Sequence, residues 1–150
     1  FMLIQLPEAA DFTQSENGRK RILPSPIHDT IDPEGVADWT EFVQPELETQ
    51  FTENVRTVSE DLDQVEDYKD EEGNELRRLQ VSAKHAETWY IVLNQARLIL
   101  NEEHKIADME KEILTGEQAP TEIEEKRWLL ILQYRIYAAV QEFLLVSYME

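Results

Sequence analysis

The chain contains no cysteine, and this absence excludes several kinds of site. Without thiols there is no disulfide framework, no thiolate zinc site and no cysteine nucleophile. Glycine is also scarce, with four residues among 150, too few for the glycine-rich loops that cradle phosphates. The G-x-S-x-G motif of serine hydrolases is missing as well. Because no catalytic signature is found, we predict that the protein is not an enzyme and needs no cofactor.

Basic residues are few compared with acidic ones. The 14 lysines and arginines face 32 aspartates and glutamates, which gives a formal net charge of −18. A chain this acidic repels phosphate backbones and anionic lipid surfaces, so we expect neither a nucleic acid nor a membrane as partner. The N-terminus lacks the basic region of a secretory signal. Together with the missing cysteines, this favours a cytoplasmic location.

The histidines and the acidic runs do not form a recognisable metal motif. None of His28, His85 and His104 follows a glutamate at the Glu-x-x-His spacing of carboxylate-bridged metal bundles. A calcium loop starting at Asp61 would need glycine at its sixth position, where Glu66 stands. We therefore predict no metal ligands.

Proline is concentrated in the first third of the chain, where five of the six prolines lie at or before Pro45. The rest divides into long segments without helix breakers, and apolar residues recur in them at steps of three and four. Asp32, Pro33 and Glu34 form a helix start, with a capping carboxylate, a proline pre-set for the first turn and a favourable charge. We predict helices near 33–43, 46–68, 83–103 with a continuation to about 114, and 121–149.

The most apolar stretch lies at the end, where 17 of the 22 residues from Trp128 to Met149 are apolar or aromatic. A helix that is apolar nearly all round is normally buried. Arg135 and Glu142 near its middle argue against a membrane span. This stretch is therefore predicted to form the buried central helix of the fold.

These elements predict the fold class. We expect a mainly α protein, a compact bundle of four to five helices around the buried C-terminal helix, with a small β element near the N-terminus. Residues 1–150 form one domain, in which 1–31 is an irregular or β segment and 32–150 is the helical core. The β element is expected from residues 2–6, 19–23 and 76–81.

A strip of polar residues runs beside the apolar face of the predicted helix 83–103, and polar residues also interrupt the C-terminal helix. Buried polar or charged groups need partners, so one interpretation is a structural network, for instance between Arg97 and Glu142. The other is a surface that contacts a protein partner, or a pocket for a small molecule lined by Tyr90, Asn94, Arg97 and Gln141. The complete candidate set is Tyr90, Asn94, Arg97, Asn101, Gln141 and Glu142.

Several of these residues also carry a family resemblance. The chain resembles an uncharacterised bacterial family known as domain of unknown function two thousand and seventeen. The resemblance rests on three segments: Trp89-x-x-x-Leu93-Asn94-x-x-Arg97-Leu98-x-Leu100, the preceding Arg21-Ile-Leu-Pro24, and Gln141-Glu142-x-Leu144. It implies a small intracellular protein without an assigned activity, encoded in some genomes near the adaptor of the Clp protease. The acidic loop 66–74 departs from the family pattern.

The prediction for function is a non-enzymatic, cytoplasmic protein-interaction domain with a regulatory or adaptor role linked to proteolysis. The first alternative is a helical bundle that binds a small molecule in the pocket described above. The second is an enzyme whose site is assembled from carboxylates without a signature. A surplus apolar face could also be buried in a homodimer.

Overall fold

The computed structural model describes residues 2–24, 32–119, 121 and 123–149. Residues 1 and 25–31 of the predicted N-terminal segment, including His28, lie outside the described residues. The helices are α1 (Leu6–Ala9), α2 (Glu16–Ile22), α3 (Pro33–Asp38), α4 (Gln44–Leu62), α5 (Ala86–His104), α6 (Ile106–Thr115) and α7 (Glu125–Leu144). A 3₁₀ turn spans Phe12–Gln14, π-helical turns span Trp39–Val43 and Leu145–Met149, and the strands are β1 (Glu66–Lys69) and β2 (Glu75–Arg78).

The prediction of a mainly α fold with a small β element is confirmed. The helix start at Pro33 forms as expected, since the Asp32 carboxylate accepts a hydrogen bond of 3.0 Å from the backbone N–H of Gly35. Helix α4 ends at Leu62, earlier than the predicted residue 68, because the chain enters the hairpin at Glu66. Its apolar face packs on the core as the spacing of Val55, Val58 and Leu62 indicates.

The central helix is α5, and the prediction that the C-terminal helix occupies the centre is wrong. Helix α5 contacts α1, α2, α4, α6 and α7, so it is covered on several sides. Its buried residues are Ala86, Trp89, Val92, Leu93, Gln95, Ala96, Ile99 and Leu100. Helix α7 buries only Ile131, Tyr137, Gln141 and Leu144. Much of its apolar surface therefore stays exposed.

The β element lies in the middle of the chain and not near the N-terminus. Strands β1 and β2 form one antiparallel hairpin, and all residues of both strands are exposed. The predicted strands 2–6 and 19–23 are wrong, because turns lead into α1 at Leu6 and α2 runs to Ile22. The predicted strand 76–81 is observed only as far as Arg78.

The Asn17-Gly18 pair, which resembles a hairpin turn in sequence, lies inside α2. The Ser15 hydroxyl caps this helix by accepting a 2.9 Å hydrogen bond from Gly18 N–H. A Cβ atom on Gly18 would lie 3.2 Å from Cγ2 of Ile99 and 3.3 Å from Cβ of Ser15. Glycine therefore allows α2 to approach α5 closely.

We expect Gly18→Val to lower the free energy of unfolding by about 1–3 kcal/mol, because its branched side chain must displace Ile99 or push the two helices apart. Asn17→Val, which adds the same side chain at the exposed neighbouring position, should change stability by less than about 0.5 kcal/mol. Urea denaturation of both variants measures the difference. Equal losses would contradict the close approach.

Candidate functional site

A small network of polar side chains joins α5 to α7. Arg97 Nη1 donates a 2.7 Å hydrogen bond to Gln141 Oε1, and Arg97 Nη2 donates a 3.3 Å bond to the Tyr134 hydroxyl. The Gln141 side-chain amide in turn donates to the backbone carbonyl of Tyr90 at 3.2 Å. The guanidinium also lies 4.7 Å from the centre of the Tyr134 ring, within the range of a cation–π contact. These contacts fix the relative position of the two helices.

Arg97, the charged member of this network, forms no ion pair with any residue that the structure describes. The suggested pair of Arg97 with Glu142 does not form, because Gln141 faces α5 whereas Glu142, one residue and about 100° further round the helix, is exposed. The partners of Arg97 are the neutral Gln141 and Tyr134, and within the described residues its buried Nε atom has no hydrogen-bond partner. Arg97 is therefore a half-buried cation that is stabilised by dipoles and an aromatic ring.

The remaining members of the predicted strip have separate environments. Asn94 is exposed and its side chain makes no hydrogen bond within the described part of the chain. The Asn101 side-chain oxygen accepts a 2.8 Å bond from the backbone N–H of Ala107 at the start of α6. Between these helices Lys105 adopts the left-handed conformation with φ of 53°, two residues beyond the predicted end of the helix at residue 103. The strip is therefore not one continuous surface.

A second polar cluster was missed by the sequence analysis. The Asp61 carboxylate accepts hydrogen bonds from His85 Nδ1 at 2.9 Å and from Trp89 Nε1 at 2.8 Å. This arrangement orients the imidazole as in the acid–base half of a catalytic triad. Within the described residues, however, no hydroxyl is hydrogen-bonded to the other ring nitrogen of His85. The cluster therefore joins α4 to α5, and no sequence signal links residues 24 and 28 positions apart.

One face of α7 and its π-helical end exposes several large apolar side chains, and we call this face the α7 seam. The exposed fractions are 51% for Leu129, 47% for Leu132, 65% for Phe143 and 61% for Val146. Between them lie the half-buried Ile136 and the exposed Ala139. The seam therefore comprises Leu129, Leu132, Ile136, Ala139, Phe143 and Val146.

Comparison with known proteins identifies the family. Residues 5–147 match the family model described as Domain of unknown function (DUF2017). The chain belongs to this family. No curated protein and no solved structure shows significant similarity to it. The DUF2017 match covers both α5 and α7, so the network and the seam lie within the family domain.

In this DUF2017 chain the segment Glu125–Tyr148 is long and apolar enough to cross a membrane, judged by length and composition alone. Its most apolar window has a mean hydropathy of 1.4 and is 22% buried inside the protein. The core helix of a soluble protein passes the same test. What distinguishes α7 from an ordinary core helix is therefore its low burial.

The seam borders a groove of about 740 Å³ at the C-terminal end of α7. Apolar side chains supply most of its wall, and the Tyr148 hydroxyl donates a 3.1 Å hydrogen bond across it to the Val81 carbonyl. The residues around the groove are Leu3, Leu79, Gln80, Val81, Ser82, Val140, Phe143, Leu144 and Tyr148. Apolar surface therefore continues from the seam onto the chain between β2 and α5.

The N-terminal segment is attached to α7 through Tyr137. Its hydroxyl donates a 2.8 Å hydrogen bond to the Met2 carbonyl and accepts a 2.9 Å bond from the Gln133 amide. Burial raises the pKa of Tyr137 above its usual value, since it disfavours the phenolate, while the bond from Gln133 acts in the opposite direction. The phenol therefore stays protonated and can donate to the backbone at neutral pH.

An acidic cleft of about 300 Å³ lies between the N-terminal segment and α5. It contains Glu8, Asp11 and Glu103 beside three glutamine side chains. Burial raises the pKa of Asp11, but hydrogen bonds from Thr13 and Gln14 outweigh this and leave it below the usual value. Among the described residues no group of three or more His, Cys, Asp or Glu side chains is arranged to hold a metal ion.

Proposed function

We propose that this DUF2017 protein is a non-enzymatic, cytoplasmic protein-interaction domain and that the α7 seam is its binding surface. The single observation that carries the proposal is the exposure of four large apolar side chains along one line of one helix. Single exposed apolar residues are normal on soluble proteins, but a continuous apolar patch marks an interaction site. The seam is such a patch.

The energetics support binding at this surface. Each square ångström of apolar surface removed from water contributes about 25 cal/mol of favourable free energy. Because the four large apolar side chains of the seam remain about half exposed, covering them with a partner would be favourable. Phe143 is well placed to act as an anchor, because aromatic side chains dominate the energetics of many interfaces. Its 65% exposure is among the highest of the large apolar side chains in the described residues.

A regulatory or adaptor role is the second part of the proposal. Such proteins act by bringing other proteins together, and a rigid helix with an exposed face provides a surface for this without catalytic residues. The link to proteolysis comes from the family resemblance alone. The Arg97 network supports the surface indirectly, because it fixes α7 on α5 while leaving the seam free.

Photo-crosslinking in cells tests whether the seam binds a protein. We expect benzoylphenylalanine in place of Phe143 to give a discrete crosslinked protein species. The matched control carries the same group at Leu114, which is 81% exposed on α6 and lies outside the seam. A species formed from position 143 and not from position 114 supports the proposal, whether the captured protein is this chain or another. Absence of any crosslink from position 143 would refute it.

A further inference from the structure

We propose that the α7 seam pairs with the α7 seam of a second copy of this chain, in an antiparallel dimer with two-fold symmetry. This inference rests on the proposed function, because it names the partner of the same surface. It is carried by the spacing of the seam residues, by the way their sizes match in reverse order and by the placement of Arg135 and Glu142.

The spacing of the seam is that of a helix–helix interface. Its six members follow one another at steps of three, four, three, four and three residues. This is the alternation of the a and d positions in a heptad repeat, where apolar side chains meet a partner helix every 3.5 residues on average. Leu129, Ile136 and Phe143 occupy the a positions, and Leu132, Ala139 and Val146 occupy the d positions.

The side chains of the seam fit those of a second seam that runs in the opposite direction. In an antiparallel pair each a residue meets a d residue of the other helix. Centred between Tyr137 and Ala138, this pairing sets Leu129 against Val146, Leu132 against Phe143, and Ile136 against Ala139 of the second copy. The small Ala139 then lies opposite the larger Ile136, so the middle of the interface contains no clash of two large side chains. Because the dimer has a two-fold axis, each of these residue pairings occurs twice.

The flanking charges select the antiparallel direction. In the same register, Arg135 of one copy lies beside Glu142 of the other, and symmetry forms this pair twice. A parallel pair would set Arg135 beside Val140 and Glu142 beside Ser147, with no opposite charge. Glu142 is exposed and has no ion pair within the described residues, so its carboxylate is available. Arg135 binds Glu110 at 2.8 Å, but its side chain remains 59% exposed and can reach a second carboxylate.

The charge distribution of the chain is compatible with self-association at this face. The chain carries a net charge of −18, so most of its surfaces repel those of a second copy. The segment 125–149 is different, with Lys126, Arg127 and Arg135 against Glu125 and Glu142. Two copies of α7 can therefore approach without strong local repulsion.

The seam is also long enough for a stable interface. Helix α7 has 20 residues, which corresponds to roughly 30 Å of helix at about 1.5 Å per residue, and the π-helical turn Leu145–Met149 extends it. A typical specific interface buries about 800 Å² on each partner. An α7 pair, extended by the neighbouring Tyr148 at its end, offers a contact of this scale.

Charge reversal with mixing of the variants tests this arrangement. Arg135→Glu alone sets two glutamates together at each flank, and Glu142→Arg alone sets two arginines together. We expect each variant to weaken the homodimer by roughly tenfold or more, since close charge pairs at interfaces couple strongly. An equimolar mixture should recover wild-type affinity as a heterodimer, because every flank then joins glutamate to arginine. Sedimentation velocity and native mass spectrometry of purified protein measure both effects.

The controls separate a lost contact from a lost fold. Leu114→Glu adds a charge at an exposed apolar site outside the seam and should leave the dimer unchanged. Phe143→Asp, within the seam, should make the protein monomeric. Circular dichroism of each variant confirms folding, and Glu142→Arg is the safer of the two charge variants because Glu142 has no partner to lose within the described residues.

Four results would overturn the inference. The first is a wild-type protein that is monomeric at about 100-micromolar concentration, and the second is a dimer that Phe143→Asp does not affect. The third is a mixture of the Arg135→Glu and Glu142→Arg variants that does not recover wild-type affinity. The fourth is wild-type protein that binds neutral phospholipid vesicles through the seam in place of a second copy. If purified protein is monomeric but Phe143 crosslinks another protein in cells, the dimer fails and the proposed function stands. If neither partner is found, both fail.

Discussion

Replacing Trp89 with alanine is expected to lower the free energy of unfolding by about 3–5 kcal/mol, the usual cost of removing a large aromatic side chain from a core. Trp89 is fully buried in the first turn of α5, and its indole N–H donates to the Asp61 carboxylate. The substitution therefore leaves a cavity and removes one donor from a carboxylate that also holds His85. Thermal and urea denaturation measure the loss, which corresponds to a fall of roughly 10 °C or more in Tm.

Two further variants separate the cavity from the hydrogen bond. Trp89→Phe keeps most of the apolar volume but removes the donor to Asp61, and we expect a smaller loss of about 1–3 kcal/mol. Phe42→Ala removes an aromatic side chain that is 67% exposed, and we expect a change below about 0.5 kcal/mol. If Trp89→Ala were as mild as Phe42→Ala, α5 would not be the centre of the fold.

Charge reversal at Arg97 is expected to cost about 2–4 kcal/mol of stability, because a glutamate there sets its carboxylate against the Gln141 side-chain oxygen and removes two hydrogen bonds between α5 and α7. The cation–π contact with Tyr134 is lost as well and turns into repulsion from the ring face. Chemical denaturation of Arg97→Glu measures the effect. Arg97→Met, which retains the apolar length of the side chain, should lose less.

Asn94→Glu provides the matched control for that result. It introduces the same side chain one turn earlier on the same helix, at an exposed position without a hydrogen bond in the described residues. We expect it to change stability by less than about 0.5 kcal/mol. If Arg97→Glu were equally mild but abolished binding to a partner, the interpretation of Arg97 as part of a partner-contacting surface would replace the structural one.

Local patterns in the sequence predicted the long helices well. Spacings of three and four placed Trp89, Leu93 and Ala96 on the inner face of α5, and all three are buried. The start of α3 at Pro33 followed from capping chemistry, and the predicted helix end near residue 103 lies one residue before the observed end of α5 at His104. These features depend on neighbours within one or two turns, which the sequence displays directly.

The polar site was only partly predictable. The sequence indicated that Arg97 lies at the margin of an apolar stripe and therefore needs partners on the C-terminal helix. It could not choose between Gln141 and Glu142, which are adjacent, because that choice depends on the rotation of α7 against α5. The Asp61 cluster was missed for a similar reason, since nothing local shows that α4 passes beside His85.

The sequence by itself determined where the long helices after residue 32 lie, that they carry apolar faces and that the chain is strongly acidic. Only the tertiary structure decided which of the two apolar helices is surrounded by other helices. Composition ranks α7 as the more apolar helix, yet α5 is the buried one, because burial depends on how many elements pack around a helix and this is set by chain topology. The apolar residues that α7 does not use in the core form the seam, which is the surface on which the proposed function rests.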